Sequence, residues 1–264
     1  MSLCPFSLSI GNFSINMNIG IIPARLNSKR FPKKILMPLN GKPMVVNTVE
    51  RSLMAKNLDR VILAIDSEET KKALKGFDFE IVMTSKDHTS GTDRIAEVVQ
   101  NIKEANIVIN IQGDEPMIDP KIIDSLVHKL ENPSVEFATI ISKTLSASDI
   151  LNPNVVKAFI NEKEEIIEFK RNIFDFQIGG AYRHIGLYGY TKETLMKFTD
   201  LSPSQHELTE ELEQLRAIDN GIKIHALIKD YNSISIDTEQ DLETLVGLLA
   251  SESEKQPTNE NKNN

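Results

Sequence analysis

Ile107-Val108-Ile109-Asn110-Ile111-Gln112-Gly113-Asp114-Glu115-Pro116 drives an apolar run straight into a Gly-Asp corner closed by a proline. Such a run predicts a strand buried on both faces, and its carboxyl end presents a carboxylate where open α/β sheets bind ligands and metals. Upstream, an apolar run at 19–22 enters Pro23-Ala24-Arg25-Leu26-Asn27-Ser28-Lys29-Arg30-Phe31-Pro32-Lys33-Lys34, a loop with five cations. Taken singly, Gly-Asp is a turn and a basic loop is a solvated surface. Each following a strand at its carboxyl end, together they point to polyphosphate and a metal.

Working outward, β-branched runs at 19–22, 61–65, 80–83 and 107–111 alternate with helix-period segments at 44–56, 68–74, 92–102 and 119–130, the last behind an Asp119 cap and Pro120. This is the βαβ signature of a parallel sheet. The second half is less regular. Runs at 137–141, 155–160, 165–169 and 184–190 predict a mixed or antiparallel excursion, followed by helices at 193–198 and 208–220, the latter closed by Gly221. A strand at 223–228 and a helix at 239–249 capped by Thr238 end the pattern. The expected fold is α/β: a doubly wound, mostly parallel sheet with a smaller mixed/antiparallel lobe. One domain spans 18–250, with a nucleotide half at 18–130 and a second half at 131–250.

At 264 residues and 40% hydrophobic content the chain can bury a sizeable core. No apolar run approaches the roughly 20 residues of a membrane span, so no membrane partner is expected. Asp and Glu total 38 against 30 Lys and Arg, which argues against a nucleic-acid partner and reserves the basic loop for a small anion. Cys4 is the single cysteine; it excludes an intrachain disulfide or thiolate zinc cage and suits a reducing compartment, the cytoplasm by default. Residues 1–17 lack a basic n-region and a small-residue cleavage site, so a disordered leader before a late start at Met17 is expected rather than a secretory signal. The Glu/Lys/Asn-rich tail at 251–264 is expected to be disordered.

Two carboxylates, Asp114 and Asp237, offer hard oxygen ligands of the kind Mg²⁺ takes. Asp237 alone also reads as a helix cap. Arg25 and Lys34 suit a polyphosphate, Arg as a bidentate fork and Lys as a mobile point charge. Ser90-Gly91-Thr92-Asp93-Arg94 opens a helix, where free N–H groups favour an anion or a base edge. His88, His206 and His225 have no ligand-like spacing.

With these residues laid out, the chain resembles the 3-deoxy-manno-octulosonate cytidylyltransferases, or CMP-Kdo synthetases. The resemblance rests on Pro23-Ala24-Arg25 with Arg30-Phe31-Pro32 and Lys34, Asn40-Gly41-Lys42-Pro43-Met44, His88 to Arg94, Gln112 to Pro116, Arg183-His184-Ile185-Gly186-Leu187-Tyr188-Gly189-Tyr190 and Leu212-Glu213-Gln214-Leu215-Arg216, in family order from about 18 to 248. It implies a nucleotide-diphospho-sugar transferase-like sheet and a nucleotidyl transfer in which the anomeric hydroxyl of Kdo attacks the α-phosphorus of CTP and pyrophosphate leaves, supplying lipopolysaccharide synthesis. It places Arg25, Lys34 and Asp114 in catalysis. Ala24, Arg25, Lys34, Met83, Thr84, Ser90, Gly91, Arg94 and Asp114 line the nucleotide, and Gln112, Arg171, His184, Tyr188, Glu213 and Gln214 the acidic sugar. Asp114 and Asp237 hold Mg²⁺, and the second half carries sugar binding and a homodimer contact.

Two departures from the family pattern stand out. Lys33 and Ile35 replace a Gly and a Pro beside Lys34, and Glu168-Phe169-Lys170-Arg171-Asn172-Ile173-Phe174 replaces a Tyr-Phe-Ser-Arg segment bordering the sugar. The second keeps another ulosonic acid, an 8-amino Kdo or a sialic-acid-like sugar, open as the substrate. A glycosyltransferase of similar architecture would carry Asp-x-Asp, which Asp114-Glu115-Pro116 does not supply. Retention of Arg25, Lys34, Asp114 and Asp237 argues against a degenerate, non-enzymatic relative.

Overall fold

Strands and helices alternate through most of a computed structural model that describes residues 16–28, 30–173, 180–232 and 234–255. In chain order the strands are β1 (Met17–Ala24), β2 (Pro38–Leu39), β3 (Lys42–Pro43), β4 (Arg60–Ile65), β5 (Glu80–Met83), β6 (Ala105–Asn110), β7 (Phe137–Ser142), β8 (Lys157–Ile160), β9 (Ile166–Lys170), β10 (Tyr182–Thr191) and β11 (His225–Ile228). The helices are α1 (Met44–Ser52), α2 (Glu68–Ala73), α3 (Gly91–Gln100), α4 (Pro120–Leu130), α5 (Ala147–Leu151), α6 (Lys192–Thr199), α7 (Gln205–Glu210), α8 (Leu215–Asp219) and α9 (Glu239–Lys255).

The main sheet runs β11-β7-β10-β6-β1-β4-β5, with the β8–β9 hairpin attached to β10. Strands β5, β4, β1 and β6 are parallel neighbours, while β10 enters antiparallel between β6 and β7. The chain leaves β1 toward β4 and β5, then returns to the opposite side of β1 as β6. That reversal opens a crevice at the carboxyl ends of β1 and β6. The mostly parallel sheet and its antiparallel excursion match the expectation from sequence.

Alternation along the strands divides the core. Ile22, Ala24, Ile107 and Ile109 face α1 and α4, whereas Ile19, Ile21 and Val108 face α3, α6 and α8. A third cluster joins Phe31, Leu39 and Met44 to Ile236, Leu242 and Leu245, so α9 clamps the basic loop. No described helix is long and apolar enough to cross a membrane.

Several boundaries differ from expectation. The segment at 208–220 is not one helix: α7 ends where Glu211 adopts a left-handed backbone (φ 55°), and α8 starts only at Leu215. The break turns Leu212, Glu213 and Gln214 inward. Met17 belongs to β1, donating its N–H to the Glu104 carbonyl and pairing with Ala105, so β1 takes in the last residue of the expected leader. Helix α9 continues to Lys255, past the expected start of the tail, because Leu242 and Leu245 anchor its first turns. The leader at 1–15 and the tail from 256 lie outside the described residues, as does Phe174 of the divergent segment.

Candidate active site

Strand β6 ends in Asn110, and the following Gln112-Gly113-Asp114 passes close to the end of β1. A Cβ at Gly113 would stand 3.1 Å from the Pro23 carbonyl oxygen, so only glycine admits this approach without displacing backbone. Asp114 is then tied to a remote segment: its carbonyl accepts the Ile236 N–H at 2.9 Å, which sets Asp237 beside it. Thr238 takes the helix-cap role, exchanging hydrogen bonds with Asp241, and Asp237 is left to face the crevice.

Into this pair of carboxylates comes the basic loop. Lys33 adopts a left-handed backbone (φ 60°) and opens a 3-10 turn at Lys34–Leu36. Lys34 Nζ donates to Asp114 Oδ2 at 2.6 Å, to the Ile236 carbonyl at 3.0 Å and to Asp237 Oδ1 at 3.1 Å. Arg30 Nη2 reaches the same Asp237 Oδ1 at 2.9 Å. Two anions and two cations thus form a balanced cluster in a half-buried cleft, where charge interactions exceed their strength in water.

Three oxygens, from Asp114, Asp237 and the Ile236 carbonyl, converge on the Lys34 ammonium, which fills the place a cation would take. Hard oxygens of this kind fit Mg²⁺, which keeps its other positions for water and phosphate. No cluster of three or more His, Cys, Asp or Glu able to hold a metal occurs among the described residues. A metal here would therefore draw its remaining ligands from substrate and water.

The neighbouring wall is built at the ends of β4 and β5. Asp66 Oδ1 accepts the Leu26 N–H at 3.0 Å, and its Oδ2 accepts Arg94 Nη2 at 3.2 Å. Arg94 Nη1 donates to Thr84 Oγ1 and, at 3.2 Å, to the Ser85 carbonyl; its side chain is 3% exposed. Burial lowers the Arg94 pKa, which Asp66 opposes and the nearby Arg25 reinforces. Thr84 is buried, Met83 half-buried and Arg25 exposed, following the buried Ala24. Ser90 caps α3 by accepting the Asp93 N–H at 3.0 Å, and Gly91 lets the helix start pack on Pro23, whose Cγ would lie 3.2 Å from an added Cβ.

The other wall is polar and aromatic. In β10 the register shifts between Ile185 and Tyr188, and Thr139 Oγ1 sits at the bulge, 3.1 Å from His184 Nε2, 3.3 Å from the Ile185 carbonyl and 3.0 Å from the Leu187 carbonyl. This shortening brings the His184 and Tyr188 rings to 5.3 Å. Desolvation pushes the His184 pKa down to about 3, holding the imidazole neutral. Burial, helped by Glu213, pushes the Tyr188 hydroxyl up, so it too stays protonated. Glu213 Oε2 accepts Thr92 Oγ1 at 2.5 Å; burial raises its pKa, against the Thr92 and Ser90 hydrogen bonds. Gln112 Nε2 donates to Asn110 Oδ1 at 3.1 Å, and Gln214 is buried at the start of α8.

Of the residues expected at a site, those for phosphate, metal and base edge gather at the β1, β4, β5 and β6 ends. Gln112, His184, Tyr188, Glu213 and Gln214 gather across β6 from them. Arg171 lies close enough to act on the Tyr188 hydroxyl, but its guanidinium is committed to the carbonyls of Glu210 at 2.9 Å, Glu211 at 3.1 Å and Pro153 at 3.2 Å. Sequence reasoning gave no individual role to Arg30, Thr92 or Asp66. Asp66 carried a usable signal, since it too follows directly on an apolar strand.

Against known proteins, residues 19–224 match the cytidylyltransferase family model. A 3-deoxy-manno-octulosonate cytidylyltransferase from Geobacter sulfurreducens is 40% identical over 250 residues, covering 88% of this chain and 100% of that protein. One from Chloroherpeton thalassium is 41% identical over 238 residues, 87% and 96% of the two chains. Among solved structures, CMP:2-keto-3-deoxy-manno-octonic acid synthetase complexed with CTP superposes with a TM-score of 0.83 at 33% identity, over 90% of this chain and 100% of that one.

Proposed function

The chain belongs to the 3-deoxy-manno-octulosonate cytidylyltransferase family, and on that premise we propose how its own residues divide the work. The protein is a nucleotidyltransferase that activates Kdo with CTP. The anomeric oxygen forms a bond to the α-phosphorus, the bond from that phosphorus to the bridging oxygen of pyrophosphate breaks, and the hydroxyl proton passes to solvent. Such a transfer asks mainly for positioning and charge neutralisation.

The observation that carries the site is the convergence of Lys34 on Asp114 and Asp237 from distant parts of the chain. In this reading Arg25 and Lys34 bind the triphosphate, Asp114 and Asp237 hold Mg²⁺, and Ala24, Met83, Thr84, Ser90, Gly91 and Arg94 surround the nucleotide. When bound, Mg²⁺ would neutralise phosphate charge and ease deprotonation of the attacking hydroxyl. Gln112, His184, Tyr188, Glu213 and Gln214 meet the hydroxyls of Kdo, with His184 and Tyr188 as neutral hydrogen-bonding groups. Arg171 serves the sugar carboxylate by bracing the Glu210–Glu211 backbone as well as by charge. A homodimer through the second half, a cytoplasmic location and delivery of product to lipopolysaccharide synthesis complete the proposal.

Pyrophosphate release with CTP and a panel of ulosonic acids tests it. Kdo should give the highest kcat/KM, ahead of 8-amino Kdo and sialic acid. A higher value for either competitor would reassign the sugar, and no release with any of them would remove the activity.

A further inference from the structure

We propose that Asp66 is a positioning residue: with Arg94 it locks the phosphate loop and the base-facing strand end in one register, and so sets the preference for cytosine over uracil. The inference rests on the reading above, in which Arg25 and Thr84 face CTP.

The geometry is a four-part relay. Asp66 leaves the end of β4 and divides its two oxygens. One accepts the N–H of Leu26, the residue after Arg25, and the other accepts the buried Arg94 fork. Arg94 passes the constraint to the Thr84 hydroxyl and the Ser85 carbonyl. Thr84 is itself pinned to β4, its N–H and Oγ1 donating to the Ile65 carbonyl at 2.8 and 2.9 Å. Both ends of the relay therefore lie beside groups assigned to the nucleotide rather than in the apolar core.

A plain structural ion pair would tie core elements together. This one ties two loops whose relative position decides whether phosphates and base edge are met together. With Arg94 hidden from solvent, its contribution to the nucleotide is made through Thr84 and Ser85. Discrimination between bases that differ in hydrogen-bonding groups depends on such placement, because a shifted site leaves the right base as badly paired as the wrong one.

Asp66→Asn keeps the shape but turns a donor toward either the Leu26 N–H or Arg94. Expected are a rise of about tenfold or more in KM and Kd for CTP and a similar narrowing of the CTP:UTP ratio of kcat/KM, with kcat and the Kdo KM within a few-fold of wild type. Arg94→Lys, which keeps the charge and loses the fork, should show the same pattern, and the double variant should add little to either single change. Should Asp66→Asn fail to fold, Arg94→Lys is judged on the same measurements. An unchanged CTP:UTP ratio, or a loss confined to kcat, overturns the proposal. Wild-type enzyme inactive with CTP and every ulosonic acid would instead overturn the functional reading on which it rests.

Discussion

Lys34 Nζ stands 2.6 Å from Asp114 Oδ2, although 80 residues separate the two in sequence. Parallel pairing of β1 with β6 brings the two strand ends together, the Gly113 approach to Pro23 closes the gap, and α9 delivers Asp237 to the same point. With side chains 12% and 21% exposed, the pair is neither a surface bridge nor a fully desolvated one. Such a lysine can compensate two carboxylates and still reach an incoming phosphate.

Replacing Lys34 by Met should remove that charge with little change in volume. Charge-assisted hydrogen bonds contribute about 1.5–3 kcal/mol each, so kcat/KM for pyrophosphate release should fall at least about tenfold. A loss below about threefold would place the triphosphate contact elsewhere.

The buried Glu207–Arg216 fork, with bonds of 2.6 and 2.7 Å, holds the α7–α8 break that turns Glu213 and Gln214 inward. Glu207→Gln removes the carboxylate hydrogen-bonded to Arg216, leaving the more distant charges of Glu213 and Asp93, and should destabilise the fold by about 3 kcal/mol in urea unfolding. A change under about 1 kcal/mol, the range of surface pairs, would show that solvent already screens this fork.

Lys33 occupies a left-handed backbone position where the family pattern has glycine. Lys33→Gly relieves strain and gives up only an exposed bridge to Glu69, so stability should stay within about 1 kcal/mol of the original. Lys33→Val, whose branched side chain resists this conformation, should lose about 1–2 kcal/mol. Equal melting temperatures for the two variants would argue against the left-handed turn.

His184 is held neutral down to about pH 3, whereas in the unfolded chain it takes a proton near 6.5. Between those values the unfolded state binds more protons, so the stability tied to this group is present above about pH 6.5 and drains away as pH falls toward 3. The stability advantage of wild type over His184→Gln should therefore shrink from pH 7 to pH 5. A gap that stays constant across that range would mean that the ring titrates normally.

The parallel half was readable because its signals are local: strands with apolar runs and the Asp119 cap with Pro120; the same holds later for Gly221, just past the Asn220 cap of α8. Asp114 was found because it stands in the Gly-Asp corner that closes an apolar strand run. What escaped depends on tertiary contact. Nothing local marks Glu211 as the residue that breaks 208–220, since a run of Glu and Leu favours helix and it is tertiary bonds, the Arg216–Glu207 fork, the Thr92–Glu213 bond and the Arg171 contacts to the Glu210 and Glu211 carbonyls, that reward the break. The β2–β3 hairpin, whose two-residue turn is Asn40-Gly41 with both residues at positive φ, was not anticipated, because strands of two residues each carry no periodicity to flag them. Arg171 was placed by motif match alone, and its commitment to three carbonyls follows from the α7–α8 break.

In the proposed reaction Asp114 is the carboxylate that organises cation and triphosphate. Steady-state pyrophosphate release with CTP, Kdo and Mg²⁺, comparing wild type with Asp114→Asn under matched melting temperatures, addresses it directly. The variant should lose at least about a hundredfold in kcat, about 2.7 kcal/mol of transition-state stabilisation, while remaining folded. A folded Asp114→Asn protein releasing pyrophosphate within about threefold of wild type would contradict the assignment.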